Sequence, residues 1–234
     1  SRRMRLHIIR HGDPDYALDS LTERGRREAE ALREWVARER PDRAYHSPMG
    51  RARLTAELAL AGSGLDAACE PWTAELSPWG PLPGQNLAYW DQHGHRIRNP
   101  AFLASGQVTD IQGLDTPDFL ANLPRIAAAS DAFLARHGLA RDGGAYRVSP
   151  CDCRSIAVFC HMGFGLTWLA HLLAIPAPLA WCGFHLHTTS VTTLLFDERE
   201  PGIATPRALW VGDITHLNRA GIEPGRMGIK ANYH

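Results

Sequence analysis

The sequence predicts an α/β fold: a three-layer α/β/α sandwich with a mainly parallel sheet, helices on both faces and an inserted, largely helical cap at about 79–144. Two observations predict it. A short apolar, strand-like run opens three times onto a polar junction and then a helix-patterned segment, the alternation that builds parallel sheets. Between Trp79 and about Gly144 this alternation stops, and a Pro/Gly-rich opening leads into a tract with several His and Arg. The 234 residues are expected to form one domain over 1–234, insertion included.

The first unit begins with Met4 to Ile9, a buried strand, followed by Arg10-His11-Gly12 and the turn-prone Asp13-Pro14-Asp15. Thr22 can cap a helix to about Arg40, with Ala29, Leu32, Trp35 and Val36 on one face and Pro41 ending it. In the second unit, Arg43 to His46 is a short strand. Ser47-Pro48 offers a capping hydroxyl before a proline at the first helical position, for a helix to about Ala61. The third unit is Ser155 to Cys160, then His161-Met162-Gly163 and an apolar helix from Phe164 to Ala174 closed by Ile175-Pro176. Ser190 to Phe196 and Arg207 to Val211, rich in β-branched and apolar residues, complete a sheet of five or six strands. The insertion is expected to hold one amphipathic helix, about Pro117 to His137, carrying Phe119, Leu123, Ile126 and Phe133. Arg141 to Asp152, polar and with two glycines, reads as an exposed loop, and the tail from Gly221 to His234 carries no pattern.

Composition narrows the function classes. The 25 basic and 25 acidic side chains cancel, so no overall field draws in a nucleic acid backbone, a local patch such as Arg2, Arg3 and Arg5 apart. At 44% hydrophobic residues the chain can build a packed core. The longest apolar stretches, such as Leu166 to Ile175, fall short of the roughly 18 to 20 residues of a membrane-spanning helix. No charged-then-apolar leader precedes the first strand, and five unevenly spaced cysteines suit reduced thiols. The expectation is a cytoplasmic protein whose partner is a small molecule, neither nucleic acid nor membrane, with homo-oligomerisation left open. Every basic residue except Lys230 is arginine, a planar, permanently charged fork suited to carboxylates and phosphates.

In open α/β sheets, ligands sit outside the carboxyl ends of the strands, and three such ends present Arg10-His11, Ser47 followed by Arg51, and His161. Two guanidinium forks and two imidazoles suit a phosphoryl group, and Gly12 lets backbone approach it closely. A neutral imidazole in line with phosphorus can attack it, and nearby arginines disfavour its protonated form, which makes His11 the candidate nucleophile. Glu75, at the edge of the insertion, could supply the leaving alkoxide's proton and later activate water.

Arg10-His11-Gly12, the opening Leu21-Thr22-Glu23-Arg24-Gly25, the run Ser47-Pro48-Met49-Gly50-Arg51-Ala52-Arg53-Leu54-Thr55-Ala56 and a late strand followed by His161 together resemble the histidine phosphatase, or phosphoglycerate mutase-like, superfamily. The resemblance covers about 4–79 and 155–217, with Ser190-Val191-Thr192 and Thr215-His216-Leu217 similar to further family patterns. It implies a phosphohistidine on His11, phosphate binding by Arg10, Arg51 and His161, a proton donor at Glu75, and no metal or other cofactor. It also implies that the insertion is the variable, substrate-facing region. One departure stands out: where many relatives carry a threonine-containing stretch ending in asparagine, this chain reads Asp13-Pro14-Asp15-Tyr16-Ala17. With no longer mutase-type stretch after Gly12, hydrolysis of a small phosphomonoester is expected over a mutase's phosphoryl transfer.

Plainer readings compete. Arg10-His11 alone could be a surface turn, and His161 a hydrogen-bonded histidine at a strand end. Arg51 could pair with Glu57 or be confused with Arg53; Glu75 has a rival in Glu70. Tyr89, Trp90, His93, His95, Arg96 and Arg98 either line a specificity pocket or decorate a surface. The 12 histidines contain no His-Glu-x-x-His motif, and neither His93-x-His95, His185-x-His187 nor Cys151-x-Cys153 has a common zinc-site spacing. A phosphoglycerate mutase, a non-catalytic phosphate-recognition or partner-binding module, and a metal-dependent hydrolase remain the alternatives.

Overall fold

A computed structural model describes residues 4–80 and 86–229. Arg2 and Arg3 of the local basic patch, part of the Pro/Gly-rich opening of the insertion, and Lys230 with the end of the tail lie outside the described residues.

In chain order, β1 (Arg5–Arg10) leads to a small hairpin, β2 (Pro14–Asp15) and β3 (Ser20–Leu21), then α1 (Glu23–Glu39), β4 (Arg43–His46), α2 (Gly50–Leu60) and β5 (Ala67–Cys69). Helices α3 (Gly94–Ile97), α4 (Pro100–Ser105), α5 (Pro117–Leu120) and α6 (Asn122–Arg136) follow, then β6 (Leu139–Asp142) and β7 (Ala145–Val148). The last part holds β8 (Ser155–Cys160), α7 (Met162–Leu173), α8 (Ala177–Gly183), β9 (Val191–Glu200), β10 (Ile203–Asp213) and α9 (Thr215–Ala220).

One eight-stranded sheet has the order β5-β4-β8-β1-β9-β10-β7-β6. The β5-β4-β8-β1 half pairs in parallel, and the remaining pairings are antiparallel, so β9 and β7 alone run against the other strands. The two-residue period of β1 and β8 divides the core. Leu6, Ile8, Ile156 and Val158 face a core with Phe133 of α6 and Phe164 and Trp168 of α7. Ile9, Ala157 and Phe159 face Leu32, Trp35 and Val36 of α1 and Ala56 and Ala59 of α2. Helices therefore cover both faces, as the sequence pattern demands.

Thr22 caps α1 as expected, its hydroxyl accepting from the Gly25 amide at 3.1 Å. The expected helix over 117–137 is two helices. The Asn122 side-chain amide donates to the carbonyls of Phe119 and Ser77, and Pro124 has no N–H to continue a ladder from α5. The expected loop at 141–152 holds most of a hairpin: β6 and β7 pair in register from Leu139↔Val148 to Asp142↔Ala145, turning through Gly143 at φ 62°. β7 then pairs with β10, which with β5 gives a wider sheet than the five or six strands expected.

Candidate active site

Three adjacent parallel strands deliver three polar side chains to one rim. Arg10 at the end of β1 is in register with Cys160 of β8, and Phe159 of β8 with His46 of β4. The next residues, His11, His161 and Ser47, are therefore neighbours. The His11 amide donates to the Cys160 carbonyl and the Ser47 amide to that of Phe159, each at 2.9 Å, which fixes the exit of β1 and β4.

His11 is buried, and its Nδ1 is 2.7 Å from the Gly12 carbonyl oxygen. A carbonyl only accepts, so Nδ1 carries the proton and Nε2 keeps its lone pair. The His161 ring lies 5.2 Å from that of His11, fully buried, with Nε2 on the Ser47 hydroxyl at 2.7 Å. Burial first, then Arg10 and Arg51, hold His11 well below the usual imidazole range. Burial, His11 and the two arginines do the same to His161. Both rings are neutral near pH 7.

Arg10 donates Nη1 to the carbonyls of Leu186 at 2.6 Å and Met227 at 3.2 Å. Arg51, on the first turn of α2, donates Nη1 to Asp19 Oδ1 at 2.6 Å and lies over the Tyr16 ring, 5.2 Å from its centre. Asp19 stays below the usual carboxylate range: partial burial raises it, but the Gly50 amide and Arg51 outweigh that. Arg10 Nε, Arg51 Nε and His161 Nδ1 are buried without a hydrogen-bond partner among the described residues, three donor positions suited to an anion's oxygens.

Glu75 reaches the start of α7. Its Oε1 accepts from the amides of Phe164 at 2.7 Å and Leu76 at 2.9 Å, and its Oε2 from that of Gly163 at 3.1 Å. Burial raises it above the usual carboxylate range, opposed by those amides and by Arg10. A buried carboxyl of this kind can hold a proton for donation.

Arg10, His11, Arg51 and Glu75 line one cavity of about 510 Å³. Of the residues the sequence singled out in the insertion, Trp90 lines it too, whereas Tyr89 is buried on Phe119, and His93, His95, Arg96 and Arg98 are not in its wall. Glu70 instead pairs with Arg136 and accepts from the Trp72 indole; Arg53, largely exposed, pairs with Glu57.

Two expectations change. Gly12 is not in the cavity wall: its N–H donates to the Thr55 hydroxyl, and a Cβ there would lie 2.6 Å from the Gly25 carbonyl oxygen. Its bareness admits α1 rather than a ligand. Ser47 is not the cap of α2, which begins at Gly50 after Met49; its hydroxyl holds the Met49 amide and His161. The sequence reading missed the His161 partnership, Asp19 behind Arg51, and the tail residues Met227 and Gly228 in the cavity wall. Among the described residues no group of three or more His, Cys, Asp or Glu is placed to hold a metal ion. The five cysteines are free.

Residues 6–207 match the sequence profile of the histidine phosphatase superfamily (branch 1). Adenosylcobalamin/alpha-ribazole phosphatase of Salmonella typhi is 27% identical over 192 residues, 76% of this chain and 84% of that protein. Among solved structures, phosphoserine phosphatase of Entamoeba histolytica in complex with 3-phosphoglyceric acid superposes with TM-score 0.62 at 18% identity, over 92% of this chain and 99% of that one. The alpha-ribazole phosphatase of Shigella flexneri gives 0.56 at 21% identity, over 90% and 96%. With the profile spanning the strands, the rim and Glu75, this chain belongs to the histidine phosphatase superfamily, branch 1.

Proposed function

We propose that this protein hydrolyses a small phosphomonoester, without a metal, through a phosphohistidine on His11. The observation that carries the reading is the His11 ring, with Nδ1–H on the Gly12 carbonyl and Nε2 left nucleophilic, in one cavity wall with Arg10, Arg51 and Glu75. Nε2 attacks phosphorus and the bond to the ester oxygen breaks. Glu75 passes its proton to the departing oxygen. Arg10 and Arg51 hold the phosphoryl oxygens, joined by the unpartnered Nδ1–H of His161. Water then attacks phosphorus while giving a proton to Glu75, the bond from phosphorus to Nε2 breaks, and inorganic phosphate leaves with neutral His11 restored.

In this reading 1–234 is one catalytic domain, and of the insertion at about 79–144 it is the stretch with Trp79, Trp90 and Asp91 that faces the substrate, while α6 and β6 join the core and the sheet. Its partner is a small phosphorylated metabolite, in keeping with phosphatase relatives named for such compounds. Among the described residues no helix is long and apolar enough to cross a membrane, and the free cysteines favour a cytoplasmic setting.

The test is phosphate release from p-nitrophenyl phosphate and a panel of phosphorylated metabolites. Turnover should vanish in His11→Ala, persist in EDTA and yield to vanadate, a mimic of five-coordinate phosphorus. Turnover surviving His11→Ala, or lost on chelation, overturns the reading. Isomerisation of 3-phosphoglycerate with a bisphosphate primer would make the protein a mutase instead.

A further inference from the structure

Apart from Tyr16, Met49, Met162 and Met227, which touch Arg10 or Arg51, the cavity wall is aromatic at Trp79 and Trp90. Trp90 stands beside the proton donor. A Cβ built on Gly163 would fall 2.7 Å from Glu75 Oε1 and equally 2.7 Å from two Trp90 ring carbons, so carboxyl and indole crowd the same backbone atom. Whatever oxygen receives a proton from Glu75 therefore lies beside Trp90. The indole is fixed, 6% exposed and stacked with Phe119 at 6.4 Å and 21°. Trp79 is 46% exposed, so it reaches the cavity while keeping a face open to solvent. Rigid indoles offer large contact area, and methionine sulfur favours ring contacts.

We propose that the organic portion of the substrate is a flat aromatic ring system, seated between Trp90 and Trp79, with the two tryptophans determining specificity. This rests on the phosphatase reading of the same site. The phosphoryl group occupies the Arg10 and Arg51 side, the ester oxygen faces Glu75, and the ring fills the remaining space.

The experiment compares kcat/KM for 2-naphthylmethyl phosphate, glycerol 3-phosphate and 3-phosphoglycerate, all alkyl esters, so that leaving-group acidity does not decide the order. The naphthylmethyl ester should be preferred by about tenfold or more, as aromatic packing in a fixed pocket allows. Because Trp90→Ala could unfold a buried stack, Trp90→Phe and the exposed Trp79→Ala carry the test. Each should lower the naphthylmethyl-to-glycerol ratio of kcat/KM severalfold, through KM more than kcat. An even panel, a preference for either non-aromatic ester, or a ratio unmoved in both variants overturns the proposal. If no ester is hydrolysed in a His11-dependent way, the phosphatase reading falls separately. Calorimetry with 2-naphthylmethylphosphonate and methylphosphonate then decides the ring site: about tenfold tighter binding of the aromatic compound supports it, and equal affinity overturns it.

Discussion

The imidazole of His11 is locked in one tautomer by the carbonyl of the residue that follows it, Nδ1 to Gly12 oxygen at 2.7 Å. The nitrogen that keeps its lone pair, Nε2, is thus chosen by backbone geometry rather than by a carboxylate partner. Substituting His11 by Asn or Ala should lower kcat by at least about a thousandfold while phosphate still binds, since nucleophilic catalysis is lost and the arginines remain. Acid-quenched reactions with labelled ester should trap an acid-labile phosphoenzyme in the wild type and none in the variants.

The pH profile has a sign fixed by the site. In the proposed mechanism the reactive form needs neutral His11 and protonated Glu75. Because burial and two arginines depress His11, the acid limb should lie well below pH 6.5. Because burial raises Glu75 above 4.5, rates should decline on the alkaline side as its proton is lost. Glu75→Gln should lower kcat on alkyl esters about a hundredfold and remove the alkaline limb. Its effect on p-nitrophenyl phosphate, whose leaving group needs no proton, should be smaller.

Ser47→Ala would remove the partner of His161 Nε2 in a fully buried ring whose Nδ1 already lacks one. A buried polar group stripped of its bond costs about 1–3 kcal/mol, so the urea midpoint should fall accordingly, and kcat/KM with it. Ser47→Thr, which restores a hydroxyl, should recover part of both.

Gly163→Ala places a methyl 2.7 Å from both Glu75 Oε1 and the Trp90 ring. Overpacking of this kind typically costs about 1–3 kcal/mol and displaces the flexible partner. The expected outcome is a folded protein with strongly reduced turnover of alkyl esters, checked by calorimetric melting alongside steady-state kinetics.

Acid should destabilise the fold beyond its effect on catalysis. His7, buried between Thr193 and Ser155, is pushed down to about 3 by burial and then Arg5. A depressed histidine stabilises the fold fully above its unfolded value of 6.5, and that contribution is lost as pH falls toward 3. At pH 4.5 the loss from His7 alone is roughly 2–3 kcal/mol at 1.4 kcal/mol per pH unit. Urea titrations at pH 7 and 4.5 should differ in that direction, and equal midpoints would contradict it.

Local signals carried much of this in the sequence. The strand-to-helix junctions after β1, β4 and β8 were readable because buried strands and capped helices leave period and punctuation. Arg10, His11, Arg51 and His161 follow from their places at those junctions. Glu75 was harder, since only burial against the start of α7 separates it from Glu70. What local pattern hides is tertiary choice. Ser47 and His161 are far apart in sequence, so the hydroxyl read as a helix cap. Asp19 meets Arg51 because the β2–β3 turn folds back onto α2. The β6–β7 hairpin is too short and polar to announce itself and exists because β10 offers an edge. The hidden break in α5–α6 comes from Asn122 reaching Ser77, a contact across the chain.

The close approach of Gly12 to Gly25 also has a bearing on how this enzyme could diversify. With no side chain between them, the turn behind the imidazole and the head of the first long helix form one solid seat that cannot shift without a steric collision. The phosphorus-handling end is therefore preset and tolerates little retuning. On the proposed reading, new preferences would arise in the wall around Trp79 and Trp90, where replacing a ring would change what is selected without disturbing how the bond is cut.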